Sequence, residues 1–250
     1  MFYSKKLIKL KRIKHCFFSK KNGFSKGLYK SLNCGRGSKD NKKNILKNLN
    51  YVAKKMSIKN DKLILMNQTH STKVIEVKKN NYKKKINSDA IITKIKGLAL
   101  GVVTADCVPI IIYDVKNEIA GCIHAGWKGA LFGVIKNTVN KIKKINLNNR
   151  IHASIGPCIG ARSYEVDLIF YKKFLNKSKK NKKYFYNKNK NKKLFNLRKF
   201  VADKLVELNV KIDHVNYDTF KEKNNFFSYR RSTKLKQNDY GRCISVVSLI

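Results

Sequence analysis

The stretch 97–133, GLALGVVTADCVPIIIYDVKNEIAGCIHAGWKGALFG, differs in composition from the rest of the chain. It holds six of the thirteen glycines, one of the two prolines and the single tryptophan, but only two lysines, in a chain with 57 Lys and Arg residues. Cys107 and His124, both able to bind a metal, lie in its apolar surroundings. We expect this stretch to form the floor of an active site and the rest of the chain to supply scaffold and walls.

Within this stretch the pattern predicts three strands followed by a helix. Apolar runs of strand length occupy 98–103, 108–113 and 118–123, and apolar residues at helical spacing occupy 131–142. Pro109 opens the second run, and proline cannot donate to a strand ladder. We therefore expect a kink at Asp106 and Cys107 that re-aims both side chains.

The third predicted strand leads into a glycine-rich turn. His124 is expected at the end of the strand, and Gly126 and Gly129 are expected to bracket the turn before the helix. Free backbone N–H groups at a helix start suit an anion, so this turn is a candidate phosphate site. The sequence does not match the phosphate loop of nucleoside triphosphatases, and it fits a dinucleotide-binding motif only loosely.

The formal net charge of +42 has two interpretations. Only eight of the 57 basic residues are arginine, and lysine is spread over almost the whole chain together with Asn and Ile, as in a protein from an AT-rich genome. A nucleic-acid-binding module would concentrate its charge and use Arg for bidentate contacts. We favour the compositional interpretation, with some nonspecific affinity for polyanions.

Length and cysteine usage restrict the class of protein. A chain of 250 residues with 42% hydrophobic content fits one large domain or two small ones. Its six cysteines form no CxxC pair, so a zinc ribbon or a thioredoxin-like site is unsupported. We expect reduced thiols and a cytoplasmic protein, because the N-terminus lacks a signal-peptide core and no apolar run reaches the roughly 18 residues of a membrane span.

Outside the central stretch, the glycine-rich segment 22–40 is either a surface loop or a site wall in which Asn33 and Arg36 contact a ligand. Residues 172–193 contain eleven lysines in 22 residues, which predicts a solvated segment: a loop, an insertion or a frayed helix. Arg230, Arg231 and Arg242 stand where lysine is the default cation, so these positions are candidates for a planar guanidinium. Further helices are predicted over 41–57 and 195–210, and strands over 62–67, 150–155 and 240–250.

His70, Cys107 and His124 each fall at a predicted strand end or turn. Histidine and cysteine suit Zn²⁺, and three protein ligands leave one position open, as in catalytic zinc sites. Their wide spacing does not establish such a site by itself.

Several motifs, in order along nearly the whole chain, resemble the YfiH-like family, which is also labelled polyphenol oxidoreductase (laccase) or zinc-dependent purine nucleoside phosphorylase. TADCVP and HAGWKG together are highly specific. The matching segments are NQTHSTKV (67–74), SDAIIT (88–93), VTADCVPIIIYD (103–114), IHAGWKGALFG (123–133), IGPCIGARSYEV (155–166), FFSYRRS (226–232) and YGRC (240–243).

The resemblance implies one α/β domain over residues 1–250, of the α+β type, with mixed β-sheets flanked by helices. It places the metal ligands on His70, Cys107 and His124, and it supports Asn33 and Arg36 as site residues. The implied activities are phosphorolysis of adenosine, inosine, guanosine and methylthioadenosine, adenosine deamination, and, for bacterial members, peptidoglycan editing. Departures at Leu49, Asp218 and 172–193 put substrate detail in doubt.

The sequence thus predicts a zinc enzyme acting on purine nucleosides and phosphate, with copper as the alternative metal. Arg230 is the side-chain candidate for phosphate, and Gly126–Gly129 the backbone candidate. Asp106 is expected to orient a ligand histidine, to carry a proton, or only to stabilise its turn. The rival functions are a copper phenol oxidase, hydrolytic editing of cell-wall precursors, and nucleic-acid binding by a basic module. Five histidines are few for a multicopper oxidase. We expect a monomer or a weak homo-oligomer that has no membrane partner.

Overall fold

The computed structural model describes all residues, 1–250, as one mixed α/β domain. The strands are β1 (Ile13–Phe17), β2 (Leu63–Leu65), β3 (Val74–Val77), β4 (Ala90–Thr93), β5 (Ala99–Thr104), β6 (Val108–Asp114), β7 (Ile119–Ala125), β8 (Ile151–Ile155), β9 (Glu165–Asp167), β10 (Phe185–Asn189), β11 (Lys192–Phe195), β12 (Lys211–His214) and β13 (Cys243–Leu249). The helices are α1 (Lys42–Lys55), α2 (Trp127–Phe132), α3 (Val134–Ile145), α4 (Leu168–Lys177), α5 (Leu197–Val206) and α6 (Tyr229–Lys234).

The strands form three mixed or antiparallel sheets. The largest has the order β12-β8-β6-β7-β4-β3, the second the order β1-β13-β5-β2, and the smallest the order β10-β11-β9. In the largest sheet the inner pairs of β6 with β7 and β8 are antiparallel, whereas the outer pairs of β12 with β8 and β3 with β4 are parallel. The prediction of mixed sheets flanked by helices is therefore confirmed.

Strand β6 lies at the centre because both of its faces are apolar. Ile110 and Ile112 belong to the core beneath α3 and α5, whereas Ile111 and Tyr113 belong to the core between the two larger sheets. Successive side chains of a strand point to opposite faces, so an uninterrupted apolar run requires cover on both. The resulting layers are helices, six-stranded sheet, four-stranded sheet and α1.

Helix α1 closes the outer face of the four-stranded sheet. Ile45, Leu49 and Val52 recur at helical spacing and pack into the core that this sheet shares with the helix. The Asn41 side chain caps the helix by accepting a hydrogen bond from the Lys43 backbone N–H. The predicted helices over 41–57 and 195–210 and the predicted central strands are thus confirmed.

His124 lies at the end of β7, as predicted, and the strand continues one residue further to Ala125. The prediction of a turn bracketed by Gly126 and Gly129 is wrong. Gly129 lies inside the short helix α2, and the turn follows at Gly133, whose φ of 108° few other residues adopt. The helix predicted over 131–142 therefore begins at Val134, after this break.

The prediction of a loop over 172–193 is also wrong, and the helical alternative holds for its first half. These residues form the end of α4, a 3-10 helix (Lys179–Tyr184), β10 and the start of β11. Phe174 and Tyr184 are fully buried and pack among other aromatic rings, including Phe195 and Phe200. A few large aromatic residues bury enough area to order the segment, while the lysines remain in water. No helix of the fold combines the length and apolar character needed to cross a lipid bilayer.

His15 makes stability depend on pH. It is buried in β1, and its Nε2 atom accepts a hydrogen bond from the Ser4 backbone N–H at 2.9 Å. Burial lowers the pKa of His15 from 6.5 to about 4, against an opposing effect of Asp213. Between these values the unfolded chain binds more protons than the folded one. We expect the unfolding free energy to fall by up to about 3 kcal/mol as the pH drops through this window.

Urea unfolding of the wild type and of His15→Gln between pH 7.5 and pH 4 measures this contribution. Glutamine can accept the same hydrogen bond but does not titrate. The difference in unfolding free energy between the two proteins should therefore change with pH. A constant difference across the window would contradict the assignment.

Candidate metal centre

The fold brings His70, Cys107 and His124 together. His70 comes from the loop between β2 and β3, Cys107 from the turn between β5 and β6, and His124 from β7. Their potential ligand atoms all lie within 4.8 Å of one another, and Cys107 Sγ is 4.0 Å from His70 Nε2. The two imidazole rings meet edge to face, with centroids 4.8 Å apart. Three side chains that are distant in sequence thus form one compact donor set.

The Asp89 carboxylate holds two of these ligands in place. Its Oδ1 atom faces His124 Nδ1 at 2.8 Å and accepts the His70 backbone N–H at 3.0 Å. Its Oδ2 atom accepts the backbone N–H and the hydroxyl of Ser71. Because the Nδ1–H of His124 is directed at Asp89, the Nε2 atom is the one available to a metal. The loop that carries His70 and the strand that carries His124 therefore depend on the same buried carboxylate.

Asp89 is a functional residue that sequence reasoning missed, although it lies in the SDAIIT motif. A signal was available: a Ser-Asp pair directly precedes a fully buried strand in a chain with only 15 acidic residues. A carboxylate at such a position is rarely buried without partners.

The donor set and the space around it fit a metal ion. Gly126 leaves space for the ligand side chains because it has no Cβ atom. A Cβ atom at this position would lie 3.0 Å from His70 Cδ2 and 3.1 Å from Cys107 Sγ. Zinc bonds of about 2.0 to 2.3 Å require ligand atoms about 3.5 Å apart, so the side chains need to close by only about 1 Å. Gly126 thus contributes to the site through its small size. Gly129 packs against the Ser71 carbonyl, and a Cβ atom at position 129 would lie 3.2 Å from that carbonyl oxygen.

The protonation of the cluster also favours metal binding. Burial would raise the pKa of the Cys107 thiol, but His124 and His70 outweigh this effect and lower the pKa to about 6. Burial would likewise raise the pKa of Asp89, but hydrogen bonds from His124 and Ser71 hold it well below its ordinary value. Burial would lower the pKa of His124, but Cys107 and Asp89 raise it to about 9. A metal ion would therefore displace a proton from this imidazole and take over its positive charge beside the thiolate.

A cavity of about 1000 Å³ opens over the three ligands. His70, Cys107 and His124 all line it, together with apolar side chains such as Leu65 and Met66. The only carboxylate in the lining is Asp61. Its cationic lining residues are Arg36, Lys83, Lys84, Lys85 and Arg242.

Asp106 binds the C-terminal segment and does not contact a ligand histidine. Its carboxylate accepts hydrogen bonds from the Thr219 hydroxyl at 2.7 Å, the Ser228 hydroxyl at 2.9 Å and the Arg230 backbone N–H at 2.6 Å. The prediction that it orients a ligand histidine is wrong, because Asp89 occupies that position. The φ of 84° at Asp106 confirms the predicted kink, which turns the carboxylate away from the histidines and toward the C-terminal segment.

Asn33 lies beneath the cavity wall, so the prediction of a ligand contact is wrong for this residue. Its side chain is fully buried and lies outside the lining. Its Oδ1 atom accepts the backbone N–H groups of Gly35 and Arg242, and its Nδ2 atom donates to Ser38 and Asp40. Asn33 therefore shapes the loop that presents Arg36 and ties it to Arg242, directly before β13.

Three of the arginines bind backbone carbonyl groups with their planar forks. Arg231 donates to the carbonyls of Thr219, Phe220 and Phe226, and Arg198 makes a similar set of contacts at Gly156, Val215 and Tyr217. Arg230 donates to the Glu165 carbonyl, lies 5.3 Å from the Tyr164 ring and does not line the cavity. Arg36, in contrast, is exposed and has no hydrogen bond or ion pair within the chain.

A three-ligand Cys/His site at the floor of a cavity, on a mixed α/β scaffold, defines a candidate mononuclear metalloenzyme. Residues 14–250 match the family described as "Multi-copper polyphenol oxidoreductase laccase". The chain belongs to this family, in agreement with the resemblance read from its motifs.

Named relatives and solved structures are similar over most of the chain. A purine nucleoside phosphorylase of Rickettsia conorii is 37% identical over 202 residues, which cover 78% of this chain and 83% of the relative. A purine nucleoside phosphorylase of Haemophilus influenzae is 31% identical and covers 93% of both chains. The crystal structure of the hypothetical protein YfiH of Bacillus licheniformis superposes with a TM-score of 0.88 at 26% identity, covering 95% of this chain and 93% of that one.

Asp89→Asn is expected to weaken zinc binding by about 10- to 100-fold, because the amide can no longer accept from all its donors and orient His124. Competition against a chromogenic chelator measures the affinity. Asp114→Asn is the matched control, since Asp114 is a fully buried carboxylate that accepts backbone N–H groups at the opposite end of β6. Equal zinc affinity in the two variants would contradict the role given to Asp89.

Proposed function

We propose that this protein is a zinc-dependent purine nucleoside phosphorylase whose reaction takes place over His70, Cys107 and His124. One observation carries the proposal: the cavity of about 1000 Å³ joins an open three-ligand site to unpaired arginine at its wall. The size accommodates a nucleoside together with phosphate. The names of the relatives from R. conorii and H. influenzae support the same reaction.

Zinc is the metal that the donor set favours. One thiolate and two imidazoles fit Zn²⁺, which would supply Lewis acidity at a coordination position left open to substrate. Copper also binds such ligands. The oxidation of phenols by several copper ions requires more ligands than this chain groups together, since the other histidines, His15, His152 and His214, belong to no cluster of metal-binding side chains.

Arg36 is a better phosphate ligand than Arg230. Lysine is abundant everywhere in this chain, so Lys83, Lys84 and Lys85 in the lining follow the general composition. Arginine is rare, and two of its eight copies line this cavity. Arg242 stacks on the Tyr240 ring at 4.2 Å and donates to the Tyr240 carbonyl, whereas Arg36 is free to form a bidentate contact with phosphate.

In the proposed reaction a phosphate oxygen forms a bond to ribose C1′, and the bond from C1′ to the purine nitrogen breaks. The purine leaves with the electron pair and takes up a proton. The products are ribose 1-phosphate and the free base. Arg36 and Arg242 would hold the phosphate, and the apolar wall around Leu65 and Met66 would exclude water from the base.

A direct assay separates this function from its alternatives. The zinc-loaded protein is incubated with adenosine, with and without phosphate. Adenine formed only with phosphate supports phosphorolysis, whereas inosine formed without phosphate reports deamination. Cys107→Ala is expected to lose bound zinc and activity, while Cys16→Ala, a buried cysteine of β1, should retain both. Absence of any product from the wild type would overturn the proposal and favour cell-wall precursors as substrates.

Arg36→Gln is expected to raise the KM for phosphate by about 10- to 100-fold, as the loss of a charge-assisted contact implies, without change in bound zinc. Arg230→Gln should change this KM much less, because Arg230 is engaged with Glu165 and Tyr164. Steady-state kinetics at varied phosphate measures both. The reverse ranking of the two variants would contradict the assignment of Arg36.

A further inference from the structure

A second cavity, of about 500 Å³, lies on the other side of the Asp106 turn. Four cationic side chains line it, Lys20, Lys21, Lys30 and Arg231, and no carboxylate does. Ser228 forms part of the same wall. The Ser228 hydroxyl donates to Asp106, the residue before Cys107. The cavity is therefore next to the metal centre but has its own lining.

Lys20 is the unusual member of this set. Its side chain is partly buried, yet its ammonium group has no hydrogen-bond acceptor and no carboxylate partner in the chain. The nearest aromatic face is that of Phe227, at 5.6 Å. Burial, with the positive charges of Arg231 and Lys30, lowers the pKa of Lys20. An exposed lysine would need no explanation in this chain, but a half-buried one that faces other cations does.

The backbone on both sides of the cavity is ordered. The Lys20 N–H donates to the Asn225 carbonyl, and the Lys20 carbonyl accepts the backbone N–H groups of Ser31 and Leu32. Arg231 is held by three carbonyl groups and keeps two further N–H donors. The Arg231 guanidinium is thus positioned before any ligand arrives, which reduces the entropy lost on binding.

Two nearby carboxylates balance part of the charge of Arg231, but none pairs with Lys20. Burial lowers the pKa of Arg231, and the charges of Asp106 and Asp218 oppose this effect. Both carboxylates accept hydrogen bonds from hydroxyl groups, and neither lines the cavity. The Lys20 ammonium therefore faces Arg231 and Lys30 without a carboxylate of its own.

We propose that this cavity binds the phosphoryl group of a small phosphorylated molecule, at a site separate from the metal cavity. A dianionic phosphoryl group would offset the repulsion between Lys20 and Arg231 and supply the acceptors that Lys20 lacks. Ser232 and Asn224 in the lining can donate hydrogen bonds to the rest of the ligand. The site does not depend on the proposed phosphorylase activity.

Isothermal titration with pyrophosphate tests this site. Arg36→Gln serves as the background protein, so that the metal cavity contributes little. We expect one saturable site in this background, at least 10-fold weaker binding when Lys20→Gln is added, and unchanged binding when Lys144→Gln is added. Lys144 is an exposed residue of α3 and controls for the loss of one charge. Lys20→Arg, which keeps the charge, should retain binding.

Equal binding by the Lys20→Gln and Lys144→Gln proteins would overturn the proposal, because it would reduce the effect to overall charge. Absence of saturable binding in the background protein would overturn it as well. Thermal unfolding of each variant verifies that the fold is retained. None of these outcomes bears on nucleoside phosphorolysis, which is measured separately with the Cys107→Ala protein.

Discussion

The buried Asp89 carboxylate is the interaction on which the metal centre depends. It connects the His70 loop, the start of β4 and the His124 side chain through one set of hydrogen bonds. A buried carboxylate is tolerable only because so many donors converge on it. The same donors keep it ionised, and the ionised form fixes the orientation of His124. Burial, charge and ligand geometry are therefore consequences of a single arrangement.

Other aspartate and arginine side chains, which are rare in this lysine-rich chain, also connect separate segments through hydrogen bonds. Asp106 fastens the C-terminal segment to the turn of Cys107, and Asp218 accepts hydrogen bonds from Gly160, Ser163 and Phe220. Arg198 and Arg231 bind groups of carbonyls that a lysine could not satisfy together. Most of the abundant lysines remain in water, and a few, such as Lys143 at the Leu208 carbonyl and Lys192 at Glu165, make single contacts near the surface. Lys20 differs from the solvated lysines because it is partly buried and faces other cations.

The metal centre is separated from the many lysines of the chain because it rests on buried strands. The ligands stand on β7, on the turn between β5 and β6, and on the loop that leads into β3. Strands β4, β6 and β7 beneath them are buried on both faces. Such a support moves little, as a metal site requires. Around this rigid floor, Asn33 ties the Arg36 loop to Arg242, directly before β13. Side chains that line the cavity are thereby positioned by a residue that does not line it.

The sequence by itself determined the apolar strands, the amphipathic helices and the kink at Asp106, because these follow from local periodicity and residue chemistry. The three ligand candidates came from motifs that resemble the family. Only the tertiary structure decided which carboxylate meets His124, since Asp89 is 35 positions away in the chain. It also decided that Asn33 is buried, that Arg230 faces away from the cavity, and that the segment 172–193 is folded. Each of these depends on contacts between distant segments, and no local pattern encodes which buried partner a polar side chain will find.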